Sequence, residues 1–341
     1  MVSRRRWLQS IGVSSLVGAA LGRQLSGQTP QSQPTSHDNH AMGLVGHISS
    51  DQPSPTRYLR AWNFSDVPPE QRSKFYRETK RPDGTLLREY DIYAVDREIE
   101  IAPGLFFPAW TYNGQVPGPT IRATEGDRIK VTFRNAGSHP HTMHFHGWHP
   151  PAMDGALHGQ EVQPGKTFVY EFDADPFGLH LYHCHTVPLK RHIHKGLYGA
   201  FIIDPRAGRA EADELVMVMN AFDTNFDADN DVYAVNTVAN AFVNEPIRVT
   251  VGRLTRIYLI NVTEFDLVNS LHLHGMFFDV FRTGTSLTPH DRTDTVMLCQ
   301  GERAILETTF RYPGDFMFHA HQSEFAELGW MGLFRAVERD T

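Results

Sequence analysis

The sequence predicts an all-β protein built from two tandem sandwich or barrel units. Three observations carry this reading. From about residue 87 onward, short stretches such as Leu87 to Ile101 alternate apolar and polar residues, the period of a strand with one buried face. Turns rich in Gly, Pro, Asn and Asp separate these stretches, and no run keeps the 3.6-residue period of a major helix. The second half also repeats the first. Arg128 to Asn135 has a counterpart in Thr255 to Asn261, and His144-Phe145-His146-Gly147 returns as His272-Leu273-His274-Gly275. His183-Cys184-His185 returns as His319-Ala320-His321, each preceded by a turn, Pro176-Phe177-Gly178 or Pro313-Gly314-Asp315.

The chain begins with a different kind of segment. Ser3-Arg4-Arg5-Arg6-Trp7-Leu8 followed by the apolar run Ile11 to Leu21 is similar to a twin-arginine export signal, with Trp7 where Phe is usual. Residues 1–27 are therefore expected to be a targeting segment of a periplasmic or secreted protein, exported already folded. Residues 28–86 are rich in Pro and Ser and read as a linker and irregular extension that carries His37, His40 and His47. At 341 residues the chain exceeds one hydrophobic core. The break at Asp204-Pro205-Arg206-Ala207-Gly208 divides the remainder into domains at 87–205 and 206–341. After the signal no apolar stretch approaches the roughly 20 residues of a membrane span, so none is expected in the mature chain.

A net charge of −7 leaves no basic footprint for nucleic acid. Two cysteines cannot build a disulfide framework, and Cys299, in the strand-like run Thr295 to Cys299, is expected to be a small buried apolar residue. Nineteen histidines are many, so their spacing matters. Four H-x-H pairs on strands each present two rings on one face, natural co-ligands for closely spaced metal ions. His183 and His185 aim one way along their strand and Cys184 aims the other. His141, three residues before His144, also faces away from its H-x-H pair if the strand continues. Cys184 and His141 can therefore meet, and a third ligand, His192 or His194, would complete a trigonal site of two imidazoles and one thiolate, of the blue-copper kind.

At these residues the chain resembles two-domain multicopper oxidases of the laccase-like kind, over about residue 87 to the end. The family pattern H-x2-H-x-H-G stands as His141, His144, His146 and Gly147. The H-C-H pattern stands as His183-Cys184-His185 with His192 and Leu197 following at family spacing. The resemblance implies two cupredoxin-like Greek-key domains and copper as cofactor, four ions per subunit. It implies a type 1 copper on His141, Cys184 and His192 with a non-coordinating Leu197 at the axial position. The type 2 copper would lie on His144 and His272, and the type 3 pair on His146, His183, His185, His274, His319 and His321. Asn269, Ala320, Phe325 and Trp330 stand where a second type 1 site would be, so that half is expected to carry no blue copper. Asp154, in a loop after the first H-x-H-G, is a candidate to deliver protons. His149, His158, His180 and His290 are expected in packing or supporting contacts, as is Glu324.

The function implied is one-electron oxidation of a small reducing substrate, a phenol, aromatic amine or metal ion, coupled to reduction of O2 to water. In two-domain relatives the cluster forms between subunits of a homotrimer. Copper nitrite reductases share this plan and the longer spacer between His185 and His192, but need only a three-histidine type 2 site. A non-enzymatic copper carrier would need one blue site and no paired histidines. No Met-rich loop points to Cu(I) as the electron donor.

Overall fold

The computed structural model describes residues 76–338. The expected signal segment, most of the extension and His37, His40 and His47 lie outside the described residues. Among the described residues twenty strands and three short α-helices follow one another. The first nine are β1 (Tyr76–Lys80), β2 (Leu86–Ala102), β3 (Leu105–Tyr112), β4 (Gly118–Thr124), β5 (Arg128–Asn135), β6 (His144–Phe145), β7 (Thr167–Asp173), β8 (Gly178–His183) and β9 (Tyr198–Asp204), with helix α1 (Leu189–His194) between the last two. They form two sheets, β1-β2-β5-β7 with β3 also on β2, and β4-β9-β8-β6. In β5 the residues Ile129, Val131 and Phe133 are buried while their neighbours are not, the alternation that seats one face on a core.

The second half is β10 (Asp213–Phe222), β11 (Val232–Val235), β12 (Ile247–Thr250), β13 (Leu254–Asn261), β14 (Val268–Leu273), β15 (Phe278–Arg282), β16 (Asp291–Thr293), β17 (Thr295–Cys299), β18 (Arg303–Thr309), β19 (Gly314–His319) and β20 (Met331–Val337). Helices α2 (Ala241–Asn244) and α3 (Ser323–Glu327) interrupt it. Its sheets run β11-β10-β13-β18-β15-β16 and β12-β20-β19-β14-β17. The internal repeat is a repeat of topology. β2 runs parallel to β5, which pairs antiparallel with β7, and β10, β13 and β18 do the same. β4-β9-β8-β6 matches β12-β20-β19-β14 in strand order and in direction.

Two expectations change. Residues 76–80 fall in the supposed irregular extension, yet they form β1 on β2 and bury Tyr76. Four of the five β1 residues are exposed, so the strand leaves little apolar pattern to read. Cys299 is exposed, not buried. It ends β17, an edge strand in which Val296 and Leu298 face the core, and parity turns Met297 and Cys299 outward.

The halves are joined by polar and close-packed contacts. Arg122 on β4 makes paired hydrogen bonds to Asp204 (2.7 and 2.8 Å) and to Glu214 of β10 (2.7 and 3.1 Å). Glu214 also accepts from Arg256 at 3.2 Å and Tyr258 at 2.7 Å. Gly178 opens β8 at φ +146°, where a Cβ would lie 2.6 Å from the Thr283 carbonyl, so only glycine lets the halves approach there. The next amide, Leu179, donates to that carbonyl at 2.7 Å.

Candidate metal centre

The chain brings Cys184, His141 and His192 together in the first half. Cys184 follows the end of β8, and its amide donates to the Leu197 carbonyl at 3.0 Å, which closes the loop carrying α1. His192 lies on α1. His141 precedes β6 as a single bridge to Val162 rather than as part of a continued strand. The Cys184 Sγ lies 3.2 Å from His192 Nδ1 and 3.9 Å from His141 Nδ1, and the two Nδ1 atoms are 3.2 Å apart. All three residues are buried. The Thr142 amide points at the sulfur from 3.3 Å. Burial pushes the Cys184 thiol up, while burial with neighbouring charge holds His141 down to about 3 and His192 to about 4. A thiol facing two neutral imidazoles has no cation to favour its ionised form. A metal ion would supply that charge, and a soft set of one thiolate and two imidazoles suits copper. Leu197 is fully buried in the same apolar cluster as Cys184 and offers no donor atom. His194 is turned elsewhere: its Nε2 accepts from the Asp223 amide at 2.9 Å, which leaves His192 as the third member.

On the other side of Cys184 four rings gather. His144 packs against His146, His183 and His185 at centroid separations of 5.2, 5.2 and 5.3 Å. The cross-strand pair His144–His183 sets this spacing. His144 Nδ1 donates to the Asp154 carbonyl at 2.8 Å and His183 Nδ1 to the Cys184 carbonyl at 3.0 Å, because a carbonyl can only accept. Each ring is left with an Nε2 lone pair facing the group. Burial, with each other's proximity among the causes, holds His146 down to about 2 and His183 to about 4. His185 Nδ1 is buried with no hydrogen-bond partner, an orphaned donor set that a metal would satisfy.

The second half builds the same quartet. His272 lies 4.9, 5.4 and 5.4 Å from His274, His319 and His321. His272 Nδ1 donates to the Asp294 carbonyl at 3.0 Å and His319 Nδ1 to the Ala320 carbonyl at 2.6 Å. His274 is exposed. Among the described residues, every ring contact of either quartet that involves another of these eight histidines stays within its own half. The first quartet opens instead onto a cavity of about 470 Å³ whose far wall is Val262, Glu264, Gln300 and Gly301.

Asp154 places Oδ1 3.2 Å from His144 Nδ1 and 3.8 Å from His149 Nε2, so His149, unassigned from sequence, belongs to this corner. His180 hydrogen-bonds the Pro176 carbonyl and His290 accepts from the Arg282 amide. His158 is exposed beside Glu161, and Glu324 lies on the exposed first turn of α3. Sequence reasoning missed three groups. Asp294 is the second half's counterpart of Asp154, hidden because the two follow their H-x-H pairs at different distances. Arg303 opens β18 and reaches His146 Nδ1 at 3.3 Å. Glu264, buried and with its carboxyl pushed up by burial, lines the cavity. The last two come from the other half of the chain, and no local pattern links them to the histidines.

Fold and site define a copper-binding oxidoreductase of two cupredoxin-like domains. Two family models, both described as multicopper oxidase, match residues 97–208 and 212–340. A crystal structure of a multicopper oxidase is 52% identical with a TM-score of 0.78, over 83% of this chain and 97% of that one. The copper-containing nitrite reductase of Neisseria gonorrhoeae is 30% identical over 248 residues, 67% of this chain and 62% of the reductase. Laccase 1 of Metarhizium acridum is 42% identical over 102 residues, 28% of this chain and 16% of the laccase. The chain thus spans less than two thirds of the curated relatives it matches. It belongs to the multicopper oxidase family.

Proposed function

We propose that this multicopper oxidase couples one-electron oxidation of a small reducing substrate to the four-electron reduction of O2 to water. The observation that carries the reading is a complete histidine quartet in each half beside a single buried centre of one cysteine and two histidines. Copper, when bound, supplies the electron transfer and the oxygen chemistry. The chain's own residues hold and orient it. His141, Cys184 and His192 form the type 1 set with Leu197 at the axial position. His144 and His272 form the type 2 set. His146, His183, His185, His274, His319 and His321 form the type 3 set, for four ions per subunit. Cys184 lies between His183 and His185, so the donor site and the quartet are joined by adjacent residues. Asp154, against His144, is placed to hold a proton for the four that O2 reduction consumes.

The match to nitrite reductases supports a second reading, in which the chain reduces nitrite. A three-histidine site would leave His185 and the full pairs of the second half without a task. Metal analysis with oxygen and nitrite assays separates the two. About four coppers per chain and phenol-driven O2 uptake are expected, whereas two coppers with nitrite consumption would overturn the oxidase reading.

The quartets are incomplete alone, and we infer that they meet between subunits of a homotrimer. Exposed apolar residues flank both, Trp148 and Val187 beside the first and Phe277, Tyr312 and Met317 beside the second. A head-to-tail interface of this kind closes into a ring. Mixing a His144→Ala/His146→Ala variant with a His319→Ala/His321→Ala variant, with subunit exchange, should restore part of the O2 reduction. An active wild-type monomer would refute it. The same reading puts the protein outside the cytoplasm, and Arg4→Lys/Arg5→Lys should leave it in the cytoplasmic fraction.

A further inference from the structure

The rim of the Cys184 centre carries a pattern that the oxidase reading leaves unused. One aromatic ring separates His192 and His141 from the surface: the Trp110 centroid lies 4.8 Å from that of His192 and 5.2 Å from that of His141. On its outer side the exposed His139 packs at 4.5 Å. The surrounding charge is of one sign. Arg191 stands 5.4 Å above the indole, and Lys195 lies 5.9 Å from it and 4.9 Å from Phe107. Lys190 lies over Phe265 at 6.0 Å on the same helix. Lys190 and Arg191 are exposed, and none of the three cations is ion-paired among the described residues. Asp96, opposite Trp110 in the β2–β3 ladder, already accepts from the Ser138 amide at 3.1 Å.

Resting on the oxidase reading above, we propose that the electron donor is an anionic aromatic, a phenol bearing a carboxylate or sulfonate. Its ring packs on His139 and the Trp110 edge, and its acid group pairs with Arg191. Stacking suits a planar ring, and Arg binds a carboxylate through two parallel N–H groups. An unbalanced cation cluster raises the local concentration of anions and repels Cu(I), Fe(II) and Mn(II) alike. Each donor loses one electron to the centre and its phenolic proton to water, leaving a phenoxyl radical. Four such losses match one O2, which takes up four protons to give two waters.

The test is a matched pair of donors with the same ring, ferulate and coniferyl alcohol, followed by O2 uptake in the copper-loaded enzyme. Ferulate should have the higher kcat/KM at low salt, by about fivefold, and lose that advantage as ionic strength rises past the screening range. Arg191→Gln should raise the KM for ferulate and erase the preference. An equilibrium readout independent of turnover is calorimetric binding of 4-methoxycinnamate, which cannot form a phenoxyl radical. Its affinity should fall in Arg191→Gln and in Lys190→Gln/Arg191→Gln. Equal, salt-independent use of both donors, or unchanged 4-methoxycinnamate binding in the variants, would overturn the proposal while leaving the oxidase reading intact. No O2 uptake with either donor, together with nitrite consumption, would instead remove the oxidase reading.

Discussion

In the first half the Cys184 amide donates to the Leu197 carbonyl at 3.0 Å, and in the second the Ala320 amide donates to the Trp330 carbonyl at 3.1 Å. The His185 amide is held by the Thr142 hydroxyl at 3.0 Å and the His321 amide by the Ser270 hydroxyl at 2.8 Å. Asn135 and Asn261 each end a matched strand and accept the amide two residues on, both at 3.0 Å. The backbone frame is thus retained where the ligands differ. Instead of a thiolate and two imidazoles, the second half has a packed core. The Trp330 indole N–H donates to Asn269 Oδ1 at 3.0 Å and to the Ser270 carbonyl at 3.1 Å, and Phe325 stacks on Tyr233 at 4.1 Å. A histidine quartet therefore needs the strand-end frame and not the neighbouring cysteine and its two imidazoles.

The largest effect expected of this comparison is at its central pair. Cys184→Ser should abolish both the visible absorption of the oxidised protein and the oxidation of reducing substrates. Ala320→Ser, at the matching position, should leave both in place. A blue Cys184→Ser protein would break the assignment, because Cys299 is exposed at the edge of β17 and stands far from the paired imidazoles in sequence and strand. In the other direction, Trp330→Ala should cost about 3–5 kcal/mol of stability in denaturant titration, through the cavity it leaves and the Asn269 group it strands. The absorption should remain. A negligible cost would mean that the second half's packing is not what replaced its metal.

These pairs also explain what the sequence could reveal. Short H-x-H and H-C-H motifs fix ring positions through strand parity, so both quartets and the Cys184 set are readable locally. Parity does not separate His192 from His194, since both lie on one short helix and only the Asp223 amide, 29 residues on, claims His194. The apolar neighbourhood of Cys299 suggests burial, although Val296 and Leu298 already define the inner face and leave Cys299 on the outer one. Asp294, Arg303 and Glu264 could not be found, because each acts across a distance that only the tertiary structure closes. The same holds for Arg122 and Glu214, separated by 92 residues.

That ion network gives a smaller effect, at the seam between the halves. Burial raises the Glu214 carboxyl, but the hydrogen bond and charge of Arg122, with Tyr258 and Arg256, outweigh this and hold it below the ordinary value of 4.5. A depressed folded-state value stabilises the protein above 4.5 and stops doing so as pH falls through the folded value. Glu214→Gln should therefore cost about 1–3 kcal/mol near neutral pH, with the difference from wild type shrinking under acid. Denaturant midpoints from neutral pH down into the acid range measure it. A cost that stays constant with pH would show that the carboxylate charge is not what joins the halves.

The smallest effect concerns the one position where the intact centre resembles its packed counterpart. Leu197 and Trp330 both accept the amide of the central residue and both are fully buried, yet neither offers a strong ligand atom. In Leu197→Met a thioether of similar volume replaces the isobutyl group, so the stability cost should stay under about 1.5 kcal/mol. The sulfur can then act as a weak axial donor, which lowers the reduction potential of a copper held by two imidazoles and a thiolate. Redox titration of the visible band should show the fall, with the oxidation rate of high-potential donors decreasing alongside it. Leu197→Ile, which changes shape without adding a donor, should leave the potential where it was. If Met and Ile behave alike, the residue at 197 tunes the centre only by packing, as Trp330 does in the other half.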